Sequence, residues 1–206
     1  FRHAITRCFR RYVAACLFLG LGAVTLASPA PKHALADHGP ATWGAAASSI
    51  IVVEPTWPGY GRPGFGAPPS TAPAGTGIYF GNGPRSHYIL TAAHVIARAV
   101  RVETVNADGA RHDAEIIAID EARDLAVLRV DQPAPPIVFR RDDPEVGLHA
   151  CAIANSFGLG LSFSCGVVSA THRRDVGFNA IEDFVQTDAA VNPGASGGAL
   201  VDPQGR

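Results

Sequence analysis

Short apolar runs separated by turn-forming residues recur along the chain from residue 49 to residue 201. Runs of this length, compact or alternating with polar residues, are typical of β-strands. We predict strands at 49–53, 78–80, 88–91, 100–105, 114–119, 125–130, 150–154, 161–170, 183–187 and 199–201, and one helical turn at 92–97. No long amphipathic helix interrupts them. The pattern therefore predicts an all-β fold made of barrels.

The first 36 residues follow a different pattern. They hold five basic residues and no acidic one, and 13–26 is an uncharged apolar run. That run is shorter than the ~20 residues that span a bilayer, so we predict a secretory signal peptide at 1–36 and no permanent membrane span. Cleavage is expected after Ala36, with Ala27 as a second site and an uncleaved helix as the alternative. The protein is then secreted or periplasmic, and 37–48 is an N-terminal extension.

Composition and charge narrow the function classes. Hydrophobic residues make up 47% of the chain and charged residues 17%, which excludes a disordered chain. After residue 36 there are 12 basic and 18 acidic residues, so no broad attraction to nucleic acid is expected. A proline cluster at 133–136 predicts a linker between two halves, at 49–132 and 137–206.

Residues 54–77 are dominated by Pro, Gly, Ala and Thr. We predict a long mobile loop there that buries no core. Its aromatic repeat at 57–66 is the basis of a second interpretation, a sticky surface.

Two cysteines remain once the signal peptide, with Cys8 and Cys16, is removed. Cys151 and Cys165 lie on two predicted strands that flank a turn. Export makes a cross-strand disulfide between them feasible, and two small core residues are the alternative.

Ser196 lies in the glycine-rich segment 192–198. A serine hydroxyl is a weak nucleophile that needs an adjacent base. Glycines allow the backbone to turn and to aim amide groups at one point, where they stabilise an oxyanion. By position, Gly194 and Ser196 supply the two N–H donors.

Two further motifs complete a catalytic triad. His94 follows an apolar strand in the segment 90–95, and Asp124 precedes another in 123–128. A carboxylate there can orient the imidazole, which then acts as the base for Ser196. The order His, Asp, Ser excludes the elbow of an α/β-hydrolase, which needs a histidine after the serine. No histidine pair has the spacing of a metal hydrolase, and neither a metal nor a cofactor is expected.

These motifs resemble those of HtrA (DegP-like) serine proteases. The resemblance rests on LTAAHV, DLAVLRV, AIANSFGL, GVVSA and QTDAAVNPGASGGALV and covers residues 49–206. It implies a chymotrypsin-like double β-barrel with the triad in the cleft between the barrels. It also implies endopeptidase activity on unfolded or damaged envelope proteins, a homotrimer, and a loop of Thr187, Asp188, Ala189 and Ala190 beside the substrate pocket.

The sequence departs from the family pattern in several places. Ser156 replaces a proline, and Ala195 replaces an asparagine. The insert at 54–77 differs from the loop usual in the family, so the sequence alone does not predict a trimer. Family members continue beyond the position of Arg206, often into a PDZ domain, so the second barrel is expected to be incomplete and the chain a fragment. A binding or chaperone module without turnover is therefore the alternative function.

Overall fold

The structure is a computed structural model that describes residues 39–69 and 71–206. The predicted signal peptide, with its cysteines and its cleavage sites, lies outside the described residues. The helices are α1 (Gly39–Ala46) and α2 (Ala93–Ile96). The strands are β1 (Ile50–Thr56), β2 (Gly75–Phe80), β3 (Tyr88–Ala92), β4 (Arg101–Val105), β5 (Arg111–Asp120), β6 (Leu125–Arg129), β7 (His149–Ala154), β8 (Ser162–Arg173), β9 (Phe184–Thr187) and β10 (Ala199–Val201).

The first six strands close into an antiparallel barrel in the order β1-β2-β3-β6-β5-β4. Its interior is filled by branched aliphatic side chains that come from most of its strands, among them Val53, Ile89, Val102 and Leu128. α2 covers this core, since Val95 and Ile96 are buried in the same cluster. A sheet closed on itself has no unpaired edge, so the barrel is a rigid support for the residues at its rim.

The last four strands form an open sheet in the order β10-β7-β8-β9. Its apolar face, with Cys151, Ile153 and Val201, packs against Ile50 and Ile78 of the first barrel. The result is a chymotrypsin-like double barrel with the second barrel incomplete, as the sequence predicted.

Residues 39–48, predicted as an extension outside the protease domain, are part of its packing. Thr42 and Ala46 of α1 are completely buried, and Thr42 Oγ1 donates a hydrogen bond to the carbonyl of Pro203. Trp43 makes an edge-to-face contact with Phe163. The extension therefore covers the apolar face of the second sheet instead of lying outside the fold.

The prediction of a loop at 54–77 is wrong at both ends. Glu54, Pro55 and Thr56 continue β1, where they pair with β4. Residues 75–77 begin β2, where they pair with β1 and β3. Trp57 is only 2% exposed, and its indole N–H donates to the carbonyl of Ala97 at 2.9 Å. Only residues 57–74 of the predicted loop connect two strands, and Trp57, the first of them, lies in the interior.

Within residues 39–69 and 71–206, no helix has both the length and the apolar character needed to cross a membrane.

Candidate active site

Asp124 and His94 are joined in the structure by two hydrogen bonds. Asp124 Oδ2 lies 2.5 Å from His94 Nδ1, and Asp124 Oδ1 accepts the backbone N–H of His94 at 2.8 Å. The Asp124 side chain is 24% exposed and the imidazole 50% exposed. One carboxylate thus orients both the ring and the backbone of His94, and the other side of the ring remains open to solvent.

The backbone around this pair is held at both strand ends. β3 and β6 are neighbours with Ala92 opposite Leu125, so that the chain leaves β3 toward His94 beside the point where it enters β6 from Asp124. The Ala93 N–H donates to the Asp124 carbonyl at 3.1 Å. Asp124 itself has φ +56°, a left-handed conformation that aspartate adopts more readily than most residues.

Ser196 lies in a tight loop whose glycines are required by space as well as by conformation. Gly194 has φ +94°, and a Cβ there would lie 2.4 Å from the Asn155 carbonyl oxygen. Gly197 has φ +82°, and a Cβ there would lie 2.1 Å from the Thr76 carbonyl oxygen. This glycine-rich loop, residues 192–198 and the candidate nucleophile loop, therefore packs directly on the first barrel and on the turn after β7.

The loop leaves two amide groups available for an oxyanion. The Pro193 carbonyl accepts the Phe157 N–H at 2.7 Å, and the Ala195 carbonyl accepts the Gly198 N–H at 2.9 Å. In a trans peptide the N–H points away from the C=O, so these bonds direct the N–H groups of Gly194 and Ser196 to the opposite side. Among the described residues, neither of these N–H groups has a hydrogen-bond partner.

Phe157 supplies the bond to the Pro193 carbonyl from an unusual backbone conformation. Its φ is +61°, which is costly for an aromatic residue, and the residue is 62% exposed.

In this structure, Ser196 and His94 are not joined by a hydrogen bond. Among the described residues, the Ser196 hydroxyl has no partner, and Ser196 is held through its carbonyl, which accepts the Thr76 N–H at 2.9 Å. Catalytic hydrogen bonds are often loose in the absence of substrate.

An open cleft of about 760 Å³ lies beside His94 and Asp124. It is lined by His94 and Asp124, by the apolar side chains Ile119, Phe178 and Phe184, and by the charged residues Arg98 and Glu121. Ser196 does not line it.

The 174–183 loop forms one wall of this cleft. Phe178 packs against Phe184 with ring centroids 6.2 Å apart. The Ile181 N–H donates to the Ala122 carbonyl, and the Asn179 side-chain amide donates to the Arg123 carbonyl. The loop is therefore attached to the turn that precedes Asp124. The sequence analysis did not identify this wall, because a short segment of mixed polar and apolar residues between strands gives no signal of what it contacts.

Glu182 organises that loop. Its carboxylate accepts the N–H groups of Asn179, Val176, Phe178 and Gly177. The bond from Asn179 is the main cause that holds the pKa of Glu182 below its usual range, with smaller effects from the other amides.

The predicted substrate-pocket loop folds onto β8. Thr187 Oγ1 donates to the Val167 carbonyl at 2.8 Å, and Asp188 Oδ1 accepts the Val167 N–H at 2.7 Å. The Ala189 N–H donates to Thr187 Oγ1, and the Ala190 N–H donates to the Ser164 hydroxyl. Asp188 thus uses one carboxylate oxygen to bind backbone.

Cys151 and Cys165 lie opposite each other on β7 and β8 and form a disulfide. With His149 they are also the one group of three potential metal ligands in residues 39–69 and 71–206. Both sulfurs are committed to each other, so this group does not offer a metal three ligands.

The profile of the trypsin-like peptidase domain family matches residues 75–206. The chain is 38% identical over 121 residues to the "Probable periplasmic serine endoprotease DegP-like" of Chlamydia trachomatis, across 58% of this chain and 24% of that protein. It is equally identical over 121 residues to the "Periplasmic pH-dependent serine endoprotease DegQ" of Escherichia coli, across 57% of this chain and 27% of that protein. The chain thus spans about a quarter of the length of these relatives.

Solved structures agree with the sequence relatives. The "HtrA-type protease AlgW with tripeptide" superposes with a TM-score of 0.68 at 34% identity, covering 80% of this chain and 50% of that one. The serine endoprotease from Yersinia pestis superposes with a TM-score of 0.65 at 31% identity, covering 80% of this chain and 53% of that one. The chain belongs to the trypsin-like peptidase family, as an HtrA or DegP-like member.

Proposed function

We propose that this chain is the catalytic domain of a serine endopeptidase that cleaves unfolded or damaged polypeptides, with His94, Asp124 and Ser196 as its triad. The observation that carries the proposal is that the two carboxylate oxygens of Asp124 bind two atoms of His94, its backbone N–H and its ring Nδ1. A surface ion pair needs no bond to the backbone N–H, whereas a base that must keep one orientation gains from it.

The reaction proceeds by acyl transfer. Neutral His94 accepts the proton of Ser196 Oγ while that oxygen attacks the substrate carbonyl carbon. The resulting oxyanion accepts hydrogen bonds from the N–H groups of Gly194 and Ser196, which have no other partner in the described part of the chain. His94 then gives its proton to the leaving amine, and a water activated by His94 releases the acyl group from Ser196.

The pocket loop supports a preference for small aliphatic residues before the cut. Asp188 would favour a basic side chain if its carboxylate were aimed into the pocket. Instead, one of its oxygens accepts the Val167 N–H. Thr187, Ala189 and Ala190 contribute no charged group.

The names of the relatives support an envelope location. Both relatives named above are described as periplasmic, which agrees with the secretory signal predicted at 1–36. We extend the location to this protein, together with polypeptide substrates. We also extend the family's homotrimer as a hypothesis of its own, which analytical ultracentrifugation of the whole protein tests.

One observation favours a second function, a protease-like binding module without turnover. The Ser196 hydroxyl makes no hydrogen bond to His94 within the described residues. Such a module would bind unfolded chains in the cleft and release them intact.

Hydrolysis of unfolded casein by the whole protein and by Ser196→Ala decides between the two. We expect cleavage by the wild type only, and labelling of Ser196 by a serine-directed phosphonate. Equal rates of casein hydrolysis by the wild type and by Ser196→Ala would reject the protease function. Casein binding by both, with neither hydrolysis nor labelling, establishes the binding module.

A further inference from the structure

Thr76 of β2 connects the nucleophile loop to the first barrel. It is completely buried, and each of its polar atoms has a partner. Its N–H donates to the Ser196 carbonyl at 2.9 Å, and its Oγ1 donates to the Gly194 carbonyl at 2.9 Å. Oγ1 also accepts the Asn155 N–H at 2.9 Å, and the Thr76 carbonyl accepts the Thr91 hydroxyl at 2.6 Å.

Thr76 binds the carbonyls of Gly194 and Ser196, each of which lies in the peptide directly after an N–H group that faces the oxyanion in the proposed reaction. The carbonyls that alternate with them, those of Pro193 and Ala195, are bound by Phe157 and by Gly198. Each peptide plane from Pro193 to Ser196 is therefore fixed by a hydrogen bond to its carbonyl. Since a peptide is planar, the bonds to the Pro193 and Ala195 carbonyls fix the N–H groups of Gly194 and Ser196 directly. Thr76 fixes the alternating peptides, one between these two N–H groups and one after them, so it acts on their spacing and not on either N–H itself.

The side chain of Thr76 has a role that the backbone cannot replace. Any residue at position 76 retains the N–H that binds the Ser196 carbonyl. Only a hydroxyl can donate to the Gly194 carbonyl and accept from Asn155 with one atom. The turn after β7 and the nucleophile loop therefore meet at a single oxygen.

We propose that Thr76 is a positioning residue for the oxyanion-binding amides of Gly194 and Ser196. The inference rests on the proposed protease function and assigns a task to a residue that does not touch the substrate. Thr76 Oγ1 holds the peptide between Gly194 and Ala195, and so the curvature of the loop, before substrate arrives. Amides arranged in advance stabilise the developing oxyanion without a cost of reorganisation at the moment of reaction.

The effect on kinetics follows from where the oxyanion exists. It is present in the transition state and absent from the bound substrate, so loss of the arrangement lowers kcat and leaves KM nearly unchanged. Thr76→Val replaces the hydroxyl with a methyl group of similar size. It leaves the Gly194 carbonyl and the Asn155 N–H buried without a partner, so some loss of stability accompanies it.

The experiment compares three variants in the whole protein. Thr42→Val is the matched control, because Thr42 is also completely buried and its Oγ1 also donates to a backbone carbonyl, that of Pro203, away from the site. For Thr76→Val we expect kcat to fall roughly 10- to 100-fold, with KM within about threefold of wild type. Thr76→Ser retains the hydroxyl and should retain kcat within about threefold.

The result that overturns the inference is a kcat in Thr76→Val equal to that in Thr42→Val at temperatures where both are folded. A fall in Thr76→Val that Thr76→Ser shares also overturns it, because the hydroxyl is then irrelevant. If the wild type cleaves no faster than Ser196→Ala, the proposed function fails instead.

Amide hydrogen exchange then tests the positioning of the loop by a measurement that does not depend on enzymatic activity. The Ala195 and Gly198 amides are bonded within the loop, to the carbonyls of Asn192 and Ala195. We expect both amides to exchange roughly fivefold faster in Thr76→Val and at the wild-type rate in Thr76→Ser. Unchanged exchange in Thr76→Val overturns the inference.

Discussion

Asp124 holds His94 at two atoms, the ring Nδ1 and the backbone N–H. The second bond matters because α2 has only four residues. A single helical turn is unstable by itself, and its first N–H groups have no partner within the helix. The carboxylate that orients the imidazole therefore also anchors the helix on which the imidazole stands.

Replacement of Asp124 by Asn should disable the enzyme without unfolding it. An amide oxygen can still accept the backbone N–H, but the amide no longer stabilises the imidazolium and favours the wrong tautomer of His94. We expect kcat to fall about 10³- to 10⁴-fold on a peptide substrate. Asp120→Asn, an exposed carboxylate beside Arg123, is the control and should retain activity. A loss below about tenfold in Asp124→Asn contradicts the proposed role.

Short apolar runs separated by turns were sufficient to predict the all-β class, whereas the double barrel followed from the resemblance to HtrA proteases. The strand predicted at 199–201 has the bounds of β10, and the runs at 88–91 and 125–130 become neighbouring strands that bring His94 and Asp124 together. The proposed triad could be predicted for a related reason, since His94 follows an apolar strand and Asp124 and Ser196 each precede one.

The residues that pack around the proposed triad were missed because their local composition suggests a loop. Gly75 and Gly77 flank Thr76, and glycines in a run of prolines and alanines predict a turn. In the structure they are small for packing reasons. A Cβ at Gly75 would lie 2.5 Å from a methyl of Val95, and one at Gly77 would lie 2.5 Å from a methyl of Ile89. Contacts between distant segments leave no trace in a local pattern.

Trp57 should anchor the other end of α2. Its indole N–H donates to the Ala97 carbonyl directly after the helix, in a site that is almost completely buried. Trp57→Phe removes this donor and leaves a carbonyl unpaired, so we expect a loss of about 1 kcal/mol in the free energy of unfolding. Trp43→Phe is the matched control, because Trp43 is partly buried and packs by ring contact with Phe163. Urea denaturation measures both, and an equal or smaller loss in Trp57→Phe would show that the hydrogen bond is unimportant.

The disulfide should stabilise the second sheet. Cys151 and Cys165 are 14 residues apart and join β7 to β8 directly before Gly166 and Val167, which contact the pocket loop. Closing a loop of this length contributes about 3 kcal/mol in the chain-entropy estimate. The double variant Cys151→Ser with Cys165→Ser should lose about that amount, measured by urea denaturation without reductant. Peptide mapping of the unreduced wild type should recover the two cysteines in one linked peptide, and separate free thiols would refute the pairing.

The contribution of Glu182 to the 174–183 loop should be present at neutral pH and be lost on acidification, below the ordinary glutamate range. The pKa of Glu182 is lowered in the folded protein, mainly by the Asn179 N–H, so its contribution is fully present above the ordinary glutamate range. That contribution is lost as the pH falls through the lowered value, when the carboxylate gains a proton.

Glu182→Gln removes the negative charge at pH 7, and we expect faster amide exchange at residues 176–179 and a weaker ring contact between Phe178 and Phe184 by NMR. Glu145→Gln, at an exposed position outside this loop, should leave both unchanged. Wild-type exchange at 176–179 in Glu182→Gln would mean that the ring contact and the bonds to the Ala122 and Arg123 carbonyls hold the loop without the carboxylate.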